Sequence, residues 1–146
     1  MSAITHIFSK LAKAAANSEL LQQHAAVLTR AGYRPAMPPG YNHYVACRYS
    51  ADKPSAHAEE VALSKFRRHH QVRHSSDAKI RRKLKKTSIL IARLNTASTN
   101  TNPEKPFKNS APCYHCLALL KDYGVRKVVF TTDGGEPQCE KGKSIR

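Results

Sequence analysis

The sequence predicts a layered α/β domain with a largely buried sheet. Three observations carry this reading. Residues 3–16 repeat apolar side chains at helical spacing, residues 88–94 and 125–131 are almost continuously apolar, and helical and extended segments alternate along the chain. At 146 residues the chain suits one domain, 1–146, and its 40% apolar content is enough for one core. No window holds the 18 or so uncharged apolar residues of a membrane span. Lys10 and Lys13 interrupt the apolar positions that a signal peptide would need. Four cysteines do not make a disulfide scaffold in a chain of this size. The expectation is a cytoplasmic domain with no membrane partner.

The elements follow in order. Ile4, Ile7, Phe8, Leu11, Ala14 and Ala15 form one helical face, with Ser2 as a plausible N-cap. His24 to Thr29 reads as a strand, residues 30–33 as a turn, and Pro35 to Met37 as a return strand cut short by Pro38, Pro39 and Gly40. Tyr44 to Tyr49 is extended in character and residues 50–55 form a loop. A second helix starts near Ala56 with Ser55 as cap, its face formed by Ala58, Val61, Ala62, Lys65 and Phe66. A basic insert occupies 67–86, and Ser88 to Leu94 reads as a central strand covered on both faces. Residues 95–111 form a long loop of a length that is usually functional or mobile. Pro112 opens a third helix, Gly124 closes it, and a last buried strand follows. Residues 133–146 form a polar C-terminal tail.

Charge is concentrated in one place. The chain carries 25 Lys+Arg against 10 Asp+Glu, a net +15, and residues 65–86 alone hold 10 basic side chains and one acidic. More than half of the excess belongs to a patch, then, not to the fold. Two readings stand for it. It is a solvated extension of the second helix, or it contacts a polyanion through residues such as Arg81, Arg82, Lys83, Lys85 and Lys86. No aromatic residues interleave the cations, so base stacking is not indicated. His69, His70 and His74 read more simply as part of this solvated surface than as a metal site.

Two short motifs carry chemistry. His57-Ala58-Glu59 opens one predicted helix and Pro112-Cys113-Tyr114-His115-Cys116 opens another. The three-residue spacing of Cys113 and Cys116 puts both sulfurs on one side of a first helical turn, within reach of one tetrahedral ion. By itself this pair leaves a redox dithiol or a structural zinc site open. With His57 as third ligand, a Cys₂His set leaves one zinc position free for water, as in catalytic sites. Helix N-termini favour thiolates and anions, and zinc lowers the pKa of a bound water to near 7. Glu59 is placed to take a proton from that water. Cys47 and Cys139 read as free thiols, His115 as outward-facing, and Phe107 and Tyr114 as packing more than stacking residues. Asn42 after Gly40 is either a turn residue or a ligand contact.

The His57-Ala-Glu59 and Pro112-Cys113-x-x-Cys116 pair resembles the signature of the zinc-dependent cytidine/deoxycytidylate deaminase superfamily. The likeness extends to the first hairpin, with Gly40-Tyr41-Asn42 ahead of the His-x-Glu helix, and to Val128–Thr132 after the cysteine helix. The chain looks most like the compact single-domain members, including those of phages and large DNA viruses. The resemblance implies a three-layer α-β-α sandwich with a mixed central sheet and one Zn2+ per chain, held by His57, Cys113 and Cys116. It implies Glu59 as proton shuttle, with the Ala58 N–H, Asn42 and Pro112 at the substrate. The implied reaction is hydrolytic deamination of a cytosine-type base in a nucleoside, a nucleotide or a nucleic acid, and self-association stays open. The alternatives are a non-catalytic zinc-containing nucleic-acid-binding module of the same fold, or an adenine/tRNA-type deaminase.

Overall fold

The computed structural model describes residues 3–44, 55–73, 76–95 and 107–133. The expectations for Ser2, most of 44–49, Cys47, His74, most of the long loop, Cys139 and the tail beyond Asp133 lie outside those residues. Helix α1 spans Ala3–Ala15, and Ile7, Phe8, Leu11 and Ala15 are buried, as their spacing predicts. Strand β1 covers His24–Arg30 and β6 covers Ser88–Leu94. They pair antiparallel from His24↔Arg93 to Thr29↔Ser88 and form the centre of the sheet. Short β2 (Arg34–Pro35) and β3 (Gly40–Tyr41) share the outer edge of β1. On the far edge of β6 lie β7 (Phe107–Lys108), antiparallel, and β8 (Lys127–Phe130), parallel. The sheet is therefore mixed, with β8 the parallel member.

Alternation along the central strands sorts the core into two layers. Ala25, Val27, Leu90, Ala92 and Val129 face α1. Ala26, Leu28, Ile89, Ile91 and Val128 face the opposite side, where α2 (Ala58–Val72), α3 (Asp77–Leu84) and α4 (Tyr114–Tyr123) contribute Phe66, Leu84 and Leu120. The three-layer α-β-α arrangement follows from both faces of one apolar sheet needing cover.

Several local expectations change. Helix α2 starts at Ala58 with His57, not Ser55, at its N-cap, because Ser55 and Ala56 form β5 against β4 (His43–Tyr44). Its buried face is Ala58, Glu59, Ala62, Leu63, Phe66 and His70, so Val61 and Lys65 stand at the margin. Within the basic segment, 67–72 continue α2, as the extension reading expects, whereas 77–84 form a separate, packed helix. Ser76 caps α3 by accepting from the Lys79 amide at 3.2 Å, and Ile80 and Leu84 are fully buried. Each such side chain contributes about 1.5–3 kcal/mol. His70 is likewise buried, against Phe66. Pro112 lies one residue before the true N-cap, Cys113. Gly124 closes α4 at φ 78°, which a glycine adopts without strain. Among the described residues no helix is long and apolar enough to cross a membrane.

Candidate functional site

Helices α2 and α4 both begin at the same end of the sheet, and their first residues meet. His57 Nδ1 lies 3.2 Å from Cys116 Sγ and 3.6 Å from Cys113 Sγ. The three donor atoms all fall within 4.8 Å of one another. His57 occupies the N-cap of α2 but makes no side-chain cap bond, so its ring turns to the sulfurs instead. Cys113 caps α4, its sulfur accepting from the Cys116 amide at 3.4 Å. Cys116 is buried and Cys113 is exposed.

Three features position these groups. Gly40 in β3 lies so close under α2 that an added Cβ would stand 2.7 Å from Val61 Cγ1 and 3.1 Å from the Ala62 nitrogen. That close approach seats the start of α2. Ser110 anchors the start of α4. Its hydroxyl donates to the Ile91 carbonyl at 2.8 Å and accepts from the Thr131 amide at 2.8 Å, tying the Ser110–Cys113 segment to β6 and β8. The β4–β5 ribbon leads directly into His57.

The donor set fits a metal. Burial pushes the Cys116 thiol up, and the Glu59 carboxylate and Cys113 sulfur beside it act in the same direction. Without a cation that buried sulfur stays protonated, whereas a divalent ion would offset the cost of the thiolate. Two sulfurs and one imidazole form the borderline-soft set that suits zinc. Among the described residues this is the one grouping of three His, Cys, Asp or Glu side chains with ligand atoms so disposed.

A cavity of about 520 Å³ opens beside the cluster. His57, Cys113, Ala58 and Glu59 line it, and Glu59 is only 5% exposed. Ala58 is the first residue of α2, where helix geometry leaves amides without intrahelical acceptors. Asn42 also lines the cavity, yet its amide is already committed. Its Oδ1 accepts from the His24 N–H at 3.0 Å and its Nδ2 donates to the Gln22 carbonyl at 2.7 Å. Asn42 thus holds the 22–24 segment in place. Pro112 is half-buried beside Cys113, outside the cavity lining. His115 is exposed, 4.0 Å from Glu60, and Tyr114 is 90% exposed. Phe107 packs edge-on against Phe8. The five cations Arg81, Arg82, Lys83, Lys85 and Lys86 lie on or just after α3, away from the cavity.

Two cavity residues were passed over in the sequence. His24 and Arg93 are cross-strand partners at the cavity end of β1 and β6. Burial lowers the His24 pKa, with Arg93 and His57 acting the same way against the Gln22 carbonyl and Glu59. The Arg93 Nε is buried and has no hydrogen-bond partner. For Arg93 the signal in the sequence was its place as the one charge in the otherwise apolar 88–94 run.

No known protein-family profile matches the chain, and no curated protein matches it in sequence. Among solved structures it is similar to the dCMP deaminase from the cyanophage S-TIM5. The complex of that protein with dCMP and dUMP is 15% identical over 88% of this chain and 76% of that chain, with a TM-score of 0.47. Its apo form is 16% identical over 87% of this chain and 83% of that chain, with a TM-score of 0.48.

Proposed function

We propose that this domain is a zinc-dependent hydrolytic deaminase of a cytosine-type base. The observation that carries the reading is the convergence of His57, Cys113 and Cys116 beside a buried carboxylate, Glu59, at the wall of one cavity. His57, Cys113 and Cys116 hold the ion. When bound, zinc would supply a water acidified to near neutral pH. Glu59 takes the two protons of the attacking water in turn, passing one to the ring nitrogen and the other to the departing amine, so that water enters and ammonia leaves. The Ala58 amide donates to the base carbonyl from the α2 N-terminus. Arg93, lacking a partner at Nε, donates to an acceptor oxygen of the substrate. Asn42 acts indirectly by fixing the 22–24 wall of the cavity. We place the protein in the cytoplasm, as one domain over 1–146 that ends in a polar 133–146 tail.

The test is ammonia release by zinc-loaded protein from cytidine, dCMP, single-stranded DNA and tRNA, with Glu59→Ala as control. Turnover of a cytosine substrate, lost in Glu59→Ala while zinc stays bound, is the expected result. Zinc binding without turnover of any substrate points to a non-catalytic module, and inosine formation in tRNA points to the adenine chemistry.

A further inference from the structure

The cavity sits at one end of the sheet, and the excess charge sits at the other. Helix α2 starts at the cavity and runs 15 residues, so its far end lies about 20 Å away at 1.5 Å per residue. Strand β6 makes the same traverse, from Ser88 beside α3 to Arg93 in the cavity. The far end gathers Arg30 and Arg34 from β1 and β2, Arg73 after α2, and the basic face of α3. We infer that this remote end docks the phosphate backbone of a polynucleotide, at a surface separate from the cavity. The inference does not depend on the deaminase reading.

Four observations support it. First, the cations stand on a fixed scaffold. Ile80 and Leu84 anchor α3 in the core, which leaves Lys79, Arg82 and Lys83 exposed on its outer side and Lys86 exposed just after it. Second, the described carboxylates beside α3 are already engaged. Asp77 and Asp122 both engage Arg81, at 2.9 and 3.6 Å, while Glu59, Glu60 and Asp133 belong to the cavity end. Third, Lys83, Arg73 and Arg30, from α3, the end of α2 and β1, all lie close enough to act on buried His70. Lys83 Nζ lies 3.3 Å from His70 Nδ1, so even this contact neutralises nothing. Fourth, the patch draws on β1, β2, α3 and the end of α2, is wider than one phosphate, and matches a strand that carries a charge on every nucleotide.

The same surface argues against other anionic partners. An amphipathic helix that enters a membrane turns an apolar face outward, whereas α3 turns both of its large apolar side chains inward. Among the described residues, the nearby tyrosines are covered, Tyr123 by Arg67 and Arg81 and Tyr33 by Lys127. Contacts to phosphate with no exposed stacking platform make the binding tolerant of sequence.

Fluorescence anisotropy of the zinc-loaded full chain with labelled 20-nucleotide DNA and RNA tests the inference across a salt series. Affinity is expected to fall steeply with salt. Lys79→Gln, Arg82→Gln and Lys86→Gln combined should lower the slope of log K against log salt by about 2–3, and Arg82→Gln alone by about 1. Lys13→Gln, an exposed cation on α1 away from both the patch and the cavity, should leave affinity unchanged, and thermal melts verify that each variant is folded. Salt-insensitive binding, an unchanged slope in the combined variant, or equal loss in Lys13→Gln overturns the inference. So does binding to phosphatidylserine vesicles without binding to either oligonucleotide.

Discussion

Adding one methyl group at Gly40 tests whether β3 sets the position of the metal-binding helix. The Cβ of Gly40→Ala would lie 2.7 Å from Val61 Cγ1 and 3.1 Å from the Ala62 backbone nitrogen, and ordinary contact begins at 3.4 Å. Val61 is β-branched and the Ala62 nitrogen belongs to the helix itself, so α2 must move outward by several tenths of an ångström. Overpacking of this kind costs about 1–3 kcal/mol, and the reduced entropy of the unfolded chain returns about 0.4–1 kcal/mol. A net loss of about 1–2 kcal/mol remains, equivalent to about 3–7 °C in Tm for a chain of this size. His57 moves with α2 while Cys113 and Cys116 stay with α4. Well-formed metal sites keep their ligand distances within about 0.2 Å of the usual values. Zinc affinity should therefore fall about tenfold to a hundredfold, in the range seen when groups that orient a ligand are lost. Thermal unfolding with and without zinc, together with a chelator competition titration, measures both effects. A Gly40→Ala protein with raised Tm and unchanged zinc affinity would refute the reasoning.

Other expectations concern the cavity and the core. Arg93→Ala should raise KM for the substrate about tenfold to a hundredfold, as expected for a lost charged hydrogen bond, and leave zinc content unchanged. Steady-state kinetics and metal analysis check this. Burial, followed by Lys83, His69, Arg73 and Arg30, holds the His70 pKa below its ordinary 6.5. The unfolded chain thus binds the proton first, and the stability from neutral His70 is present above about pH 6.5 and lost as pH falls through that value. His70→Gln should shrink the drop in Tm between about pH 7.5 and pH 5.5, and an unchanged drop would assign the effect elsewhere. Ser110→Ala should cost about 1–2 kcal/mol by denaturant titration. The Thr131 amide keeps the Ile91 carbonyl at 3.2 Å, so the loss is confined to the hydroxyl's own bonds.

Periodicity made part of this fold legible. The face of α1 and the central place of β6 follow from apolar spacing alone, because burial on one or two faces leaves a repeat of fixed period. The buried face of α2 was harder to read, since Glu59 and His70 occupy inward positions that a polarity pattern assigns to solvent. Helix α3 was hidden for a related reason. Only Ile80 and Leu84 are large and apolar among its eight residues, and four of the others are basic.

The sequence by itself determined which residues can hold a metal, since the spacing of Cys113 and Cys116 and of His57 and Glu59 sets what a first helical turn presents. Only the tertiary structure decided that the two turns meet within 4.8 Å, that Arg93 and His24 join them, and that the cationic helix lies at the opposite pole. The reason is physical. Spacing within one helix is fixed by local backbone geometry, whereas contacts between segments 56 or 59 residues apart depend on how both faces of the sheet are covered.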